Sequence, residues 1–151
     1  MTKPHKLSLS VQYASAANNL PTRPQLRRWT KAALRHDARI ALRIVDEEEG
    51  RQLNKTYRGK DYATNVLTFV YDDEAPPLMA DVVLCAPVVA REAGEQRKEL
   101  AAHYAHLVIH AALHLQGYEH EDEREASEME QAETAIMAKL GYADPYAVNS
   151  R

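Results

Sequence analysis

No run of apolar residues in this chain approaches the roughly 20 that a bilayer-spanning helix needs, so no membrane segment is expected. The N-terminal MTKPHKLSLS starts basic but lacks an apolar stretch, so no signal peptide is expected either. A single cysteine, Cys85, leaves no internal disulfide and suits a reducing compartment such as the cytoplasm; its apolar setting points to a buried, inert thiol. No internal repeat, low-complexity segment or linker divides the sequence. Residues 1–151 therefore read as one soluble domain with a real core. An excess of positive charge is missing too: 19 basic residues face 22 acidic ones, for a net charge of −3. Taken whole, that balance argues against a nucleic-acid partner.

The charge is unevenly placed, however. Between Glu119 and Glu133 stand eight acidic residues and one basic residue, Arg124. The rest of the chain carries 18 basic and 14 acidic residues, a net of +4, so a basic face elsewhere is compatible with the total.

Hydrophobic periodicity predicts the elements. Leu7, Leu9, Val11 and Tyr13 alternate with polar residues as a half-buried strand. A helix is predicted over 22–36, with Thr22 as cap, Pro24 in the first turn and Leu26, Trp29, Ala33 and Leu34 as its apolar stripe. Its other face carries Arg23, Arg27, Arg28, Lys31 and Arg35 and is read as a solvated face, or else as a track for RNA. A strand at 39–46 and a short polar helix at about 47–56 follow, then a loop from Arg58 to Thr64. Strands at Val66–Tyr71 and Asp81–Cys85 flank a turn-rich loop at 72–77. Helix is predicted from Pro87 through Leu115, with a break near Gly94, and again over about 121–140, stopping at Gly141. The tail YADPYAVNSR reads as irregular. The order implies an α+β domain whose mixed sheet of about four strands is covered by helices.

The segment HAALHLQGYEH carries the chemistry. His110 and His114 are four apart on a helix and project from one face. Gly117 suits a left-handed turn that lets His120 swing back toward them. Three nitrogen ligands leave a fourth zinc position open, as in catalytic rather than structural sites. Zinc bound there lowers the pKa of its water to roughly 7. His103 and His106 lie on nearly the same stripe and are read as ordinary satisfied histidines. The spacing HxxxHxxGxxH is shared with metzincin proteases, which place a glutamate after the first histidine as general base. Here Ala111 stands in that place, so peptide hydrolysis by that route is not expected. Trp29, Tyr57, Tyr62, Tyr71 and Tyr118 have faces that stack on bases, but core or rim packing is the expected role of each.

HAALHLQGYEH resembles the HGxLHLxGYDH signature of the YbeY family, bacterial endoribonucleases also called rRNA maturation factors. YRGKDYATNVLTF at 57–69 is similar to that family's R-x-x-D-x-x-T-x-V-L-S-F segment, and ADVVLC at 80–85 to its GDIVIC-like strand. KELAAHYAHLVIH at 98–110 resembles its approach to the signature. Met129 and Glu133 fall where its last helix has M-x-x-x-E. Ala111, Glu119 and Ala80 depart from the pattern, and none of these changes removes a ligand.

The resemblance implies one Zn²⁺ held by His110, His114 and His120, with Arg58 as the functional arginine beside it. It implies single-strand-specific RNA cleavage in 16S rRNA 3′-end maturation and ribosome quality control, with rRNA, the small subunit and ribosomal-protein or GTPase partners. A guanidinium suits that task, because it stays charged and offers bidentate donors to a phosphate. The alternative role for Arg58 is a salt bridge to Asp61. Three histidines also suit nickel, copper or cobalt. Two other functions fit the residues: a zinc hydrolase of a non-RNA substrate, or a ribosome-docking protein with structural zinc. If the basic helix is an RNA track, charge reversal at Arg27 and Arg28 to glutamate will weaken RNA binding and flatten its salt dependence. Unchanged binding in a salt titration removes the track.

Overall fold

Ile40, Leu42 and Ile44 alternate with Arg39, Ala41 and Arg43, so one strand sends every second side chain into the core. That strand, β2 (Ala38–Val45), lies at the centre of a four-stranded sheet. The computed structural model of the chain describes residues 5–71, 77–118 and 121–147. β1 (Leu7–Ala14) and β4 (Leu78–Cys85) flank β2 in parallel, and β3 (Val66–Val70) closes the far edge antiparallel to β4. Among the described residues five helices pack against the sheet or one another: α1 (Arg23–Ala32), α2 (Glu47–Arg58), α3 (Ala86–Glu95), α4 (Leu100–Leu115) and α5 (Glu123–Lys139). The fold is α+β with a mixed sheet, as the sequence predicts. Among the described residues no helix is long and apolar enough to cross a membrane.

The two faces of the sheet differ. Ile40, Leu42, Ile44, Val82 and Leu84 point into the main core, where α1 and α4 pack and α5 adds Met129 and Met137. The opposite face is covered only in part. Val45, Val83 and Cys85 meet Leu53 of α2 and Val88 of α3, and farther along Gln12 and Ala41 are exposed. Cys85 is buried, and burial pushes its thiol above the ordinary value.

Several boundaries shift for local reasons. α1 begins with a full capping box between Thr22 and Gln25, but it ends at Ala32. The amides of Ala33 and Leu34 each donate three residues back, a tightened last turn. Its arginines are not all solvated. Arg27 Nη1 donates to the Leu7 carbonyl at 2.9 Å and Arg23 Nη2 to the Val11 carbonyl at 3.2 Å, both on the outer side of edge strand β1. The charge-reversal test of an RNA track is therefore cleaner at Arg28 alone. β4 starts three residues earlier than the apolar run, because parallel pairing with β2 extends to Leu78.

Residues 87–115 form two helices. The break lies at 96–99, not at Gly94, which is inside α3. Arg97 adopts φ 56, and the Arg97 and Lys98 amides bond the Gly94 and Ala93 carbonyls in a Schellman closure without glycine.

The predicted loop at Arg58 is also corrected. α2 continues through Arg58, and Gly59 ends it with φ 70 in the left-handed region. Arg58 thus stands on a helix end, not on a free loop. A Cβ at Gly59 meets nothing within 4 Å, so a side chain there is opposed by backbone conformation alone. Gly59→Ala is expected to cost about 1–2 kcal/mol, read as a lower urea midpoint at unchanged m, and Gly59→Asn less.

Candidate active site

α4 contains no Asp, Glu, Lys or Arg and is buried along nearly its whole length. Its imidazoles, His103, His106, His110 and His114, follow one stripe of the helix. Each must find a partner as the helix packs, because a buried polar ring without one is costly.

The partners come from three directions. His103 Nε2 donates to Glu92 on α3 at 2.9 Å, and Glu92 also accepts from the Asn65 amide at 3.0 Å. Burial holds the His103 ring below its ordinary pKa, against the pull of Glu92. His106 Nε2 donates to Glu133 Oε1 at 2.8 Å, and His110 Nδ1 donates to Glu133 Oε2 at 2.5 Å. The Tyr146 hydroxyl, from the segment after α5, donates to Glu133 Oε1 as well. His114 Nδ1 donates to the Tyr118 carbonyl at 3.3 Å. His103 and His106 are thus buried histidines satisfied through Nε2 only, and the Nδ1 atom of each is buried without a hydrogen-bond partner among the described residues.

That last contact is built by the turn after α4. Gly117 has φ 100, and the Gly117 and Tyr118 amides return to the His114 and Leu113 carbonyls. The turn that ends the helix therefore presents the acceptor that orients His114. Arg35 stacks over the Tyr118 ring at 5.7 Å and helps hold it.

Both Nδ1 atoms being hydrogen-bonded, His110 and His114 are set up to offer Nε2 to a metal, the usual arrangement of metal-binding histidines. The donor set fits a borderline-soft divalent ion such as zinc. His120 and Glu119 lie outside the described residues. Among the described residues no group of three or more metal-ligating side chains is gathered. Ala111, where a zinc protease holds its base, is buried in the main core, and its methyl group is absorbed there.

His110 and His114 face a cleft of about 620 Å³ that Arg58, Asn65 and Glu121 also line. The end of α2 brings Arg58 to it, and Asn65 enters where its carbonyl accepts from Cys85 N at the end of β4. Asp61 pairs with Arg51 at 2.5 Å, so it is not the partner of Arg58. Among the described residues Arg58 makes no ion pair. The cleft thus combines two oriented imidazoles, a guanidinium and a carboxylate.

Sequence reasoning assigned no role to Glu133. The signal was present, because Glu133 lies four residues from both Met129 and Met137 on the buried stripe of α5. An acid on an apolar stripe demands a basic or donor partner. Tyr146 carried no such signal, since its segment lacks periodicity. Of the aromatic candidates, Trp29 is fully buried, whereas Tyr57, Tyr62 and Tyr71 are exposed.

A fold of this shape and a histidine-arginine cleft of this kind define a candidate hydrolase, and the comparisons supply the family. The family model described as Endoribonuclease YbeY matches residues 12–141. Curated proteins named Endoribonuclease YbeY are similar over nearly the whole chain. That of Nitrosospira multiformis is 58% identical, covering 96% of this chain and 84% of the relative. That of Methylobacillus flagellatus is 58% identical, covering 97% of both. The solution structure of TM1509 from Thermotoga maritima shares the fold, with a TM-score of 0.56, 23% identity and coverage of 92% of this chain and 99% of that one. The chain belongs to the YbeY endoribonuclease family.

Burial alone pushes the Glu133 carboxyl up, but the hydrogen bonds from His106, His110 and Tyr146 outweigh it and hold the group at about 2, below the ordinary 4.5. A depressed carboxyl stabilises the fold fully above its unfolded pKa and loses that contribution as pH falls toward its folded pKa. The depression corresponds to about 3 kcal/mol. In chelator-treated protein, Glu133→Gln is expected to lower stability by about that amount above pH 5. The gap between parent and variant will close as pH drops from about 4.5 toward 2. Chemical denaturation across that range checks both the size and the direction.

Proposed function

We propose that this chain is a metal-dependent endoribonuclease that cuts single-stranded RNA. His110, His114 and His120 would hold one zinc ion, and Arg58 would hold the scissile phosphate. The observation that carries the reading is the shared cleft: two histidines, each fixed through Nδ1, look onto the same space as the end of α2 with Arg58.

A bound zinc ion supplies Lewis acidity and a water of lowered pKa. The chain's own groups do the rest. Glu133 and the Tyr118 carbonyl fix the rings of His110 and His114, so that little reorganisation is needed on binding. Arg58 offers bidentate guanidinium donors to non-bridging phosphate oxygens and neutralises the charge that grows there as the phosphorus gains a fifth substituent. The exposed position of Arg58 lets it meet a substrate strand from solvent. Family membership extends the proposal to 16S rRNA 3′-end maturation and ribosome quality control in the cytoplasm. The partners would be rRNA, the small subunit, and ribosomal proteins or a GTPase.

Purified protein incubated with a labelled single-stranded RNA is expected to cut it, and to stop when chelator is added. His114→Ala should abolish cleavage, and Arg58→Ala should lower kcat/KM by about 10²–10³. A folded His114→Ala protein that cuts as fast as the parent removes the metal mechanism and exposes any contaminating nuclease.

A further inference from the structure

The aromatic residues nearest the cleft have not packed away. Tyr57 directly precedes Arg58 and is 64% exposed, although it is a large ring on a helix that packs against the sheet. It meets Phe69 of β3 edge to face, with ring centroids 5.0 Å apart. Such a contact fixes the orientation of both rings while using little of their surface. Tyr57 and Phe69 line the cleft of Arg58, His110 and His114. They also line a second cleft of about 500 Å³ on the half-covered face of the sheet, with Gln12, Arg43 and Tyr71. The pair therefore forms a ridge between the two clefts. Phe69 and Tyr71 fall on the same side of β3 and its extension, so the aromatic surface continues away from the histidines. Tyr71 is held there by its hydroxyl, which donates to Asp81 at 2.6 Å.

The geometry points to Tyr57 as a base-stacking residue: the nucleobase next to the phosphate held by Arg58 lies against the exposed tyrosine ring, and the strand continues over the ridge along the open face of the sheet. The inference rests on the reading of the cleft as an RNA site. A fixed, exposed aromatic ring one residue from a phosphate-binding arginine is the pairing that single-strand binders use, because every base offers a π-face while the backbone offers charge. It also supplies strand selectivity. In a duplex both faces of each base are already stacked, so the ridge has nothing to receive. An unpaired base gains a partner at no such cost.

The test uses metal-loaded protein and a single-stranded octaribonucleotide with one cleavage site, and reads KM and kcat separately. Tyr57→Ala is expected to raise KM about tenfold or more, the range of one lost base stack. Its kcat should change little, since the ring does not touch the reacting phosphate. Tyr57→Phe and Tyr57→Trp should keep KM within about twofold of the parent, because they retain the π-face. Oligomers carrying an abasic site at each position in turn locate the base. At one position the parent should lose as much as it loses on Tyr57→Ala, and the variant should lose nothing further. Tyr57→Ala at the parent's KM, a Phe variant as poor as the Ala variant, or additive losses at every abasic position would each overturn the stacking role. In those cases cleavage by the parent leaves the nuclease reading intact. A parent that does not cut RNA at all overturns both.

Discussion

A carboxylate can enter an apolar core only if donors surround it, because the charge otherwise forfeits several kcal/mol of hydration. Glu133 is fully buried on α5, and the donors it needs come from two turns of α4 and from the segment that follows α5. Its two oxygens take different histidines, so the rings of His106 and His110 are oriented by one group. The relative setting of α4 and α5, the course of the chain at Tyr146 and the face that His110 shows to the cleft are thereby a single arrangement. A neutral or shorter side chain at 133 would relax all three together, which is why the residue is better understood as part of the site than as part of the core.

Much of this was legible in the sequence. The period-two patterns at 7–13 and 39–46 located strands because a half-buried strand must alternate, and Gly117 and Gly141 announced helix ends because glycine tolerates the left-handed turn cheaply. The i, i+4 pair His110 and His114 followed from helical geometry. What did not show had physical reasons. Arg97 closes α3 in a conformation that composition assigns to glycine, so the break was misplaced. The start of β4 depends on hydrogen bonds to β2, which are long-range in sequence. Arg58 read as loop because polar residues crowd the end of α2, where helix and turn compositions overlap. The carboxylate partners of His103, His106 and His110 lie from 11 to 27 residues away, and no local pattern encodes them.

Ala111 joins the sequence and the structure most directly. At the place where a zinc protease carries a base, the side chain points into the core and not toward the cleft. The helix can therefore be apolar on that side and bury itself deeply, which is what gives the histidine stripe a rigid support.

The guanidinium groups of Arg23 and Arg27 have a consequence beyond their own contacts. An outermost strand with bare carbonyls is a template on which a strand from another molecule can add. On β1 the Leu7 and Val11 carbonyls are already taken, by cations reaching down from the helix above. A neighbouring chain would have to displace two charged donors to extend the sheet there, and it would bring its backbone up against positive charge. The same basic helix that raised the question of RNA binding thus makes edge-to-edge pairing at that side of the half-open sheet more costly.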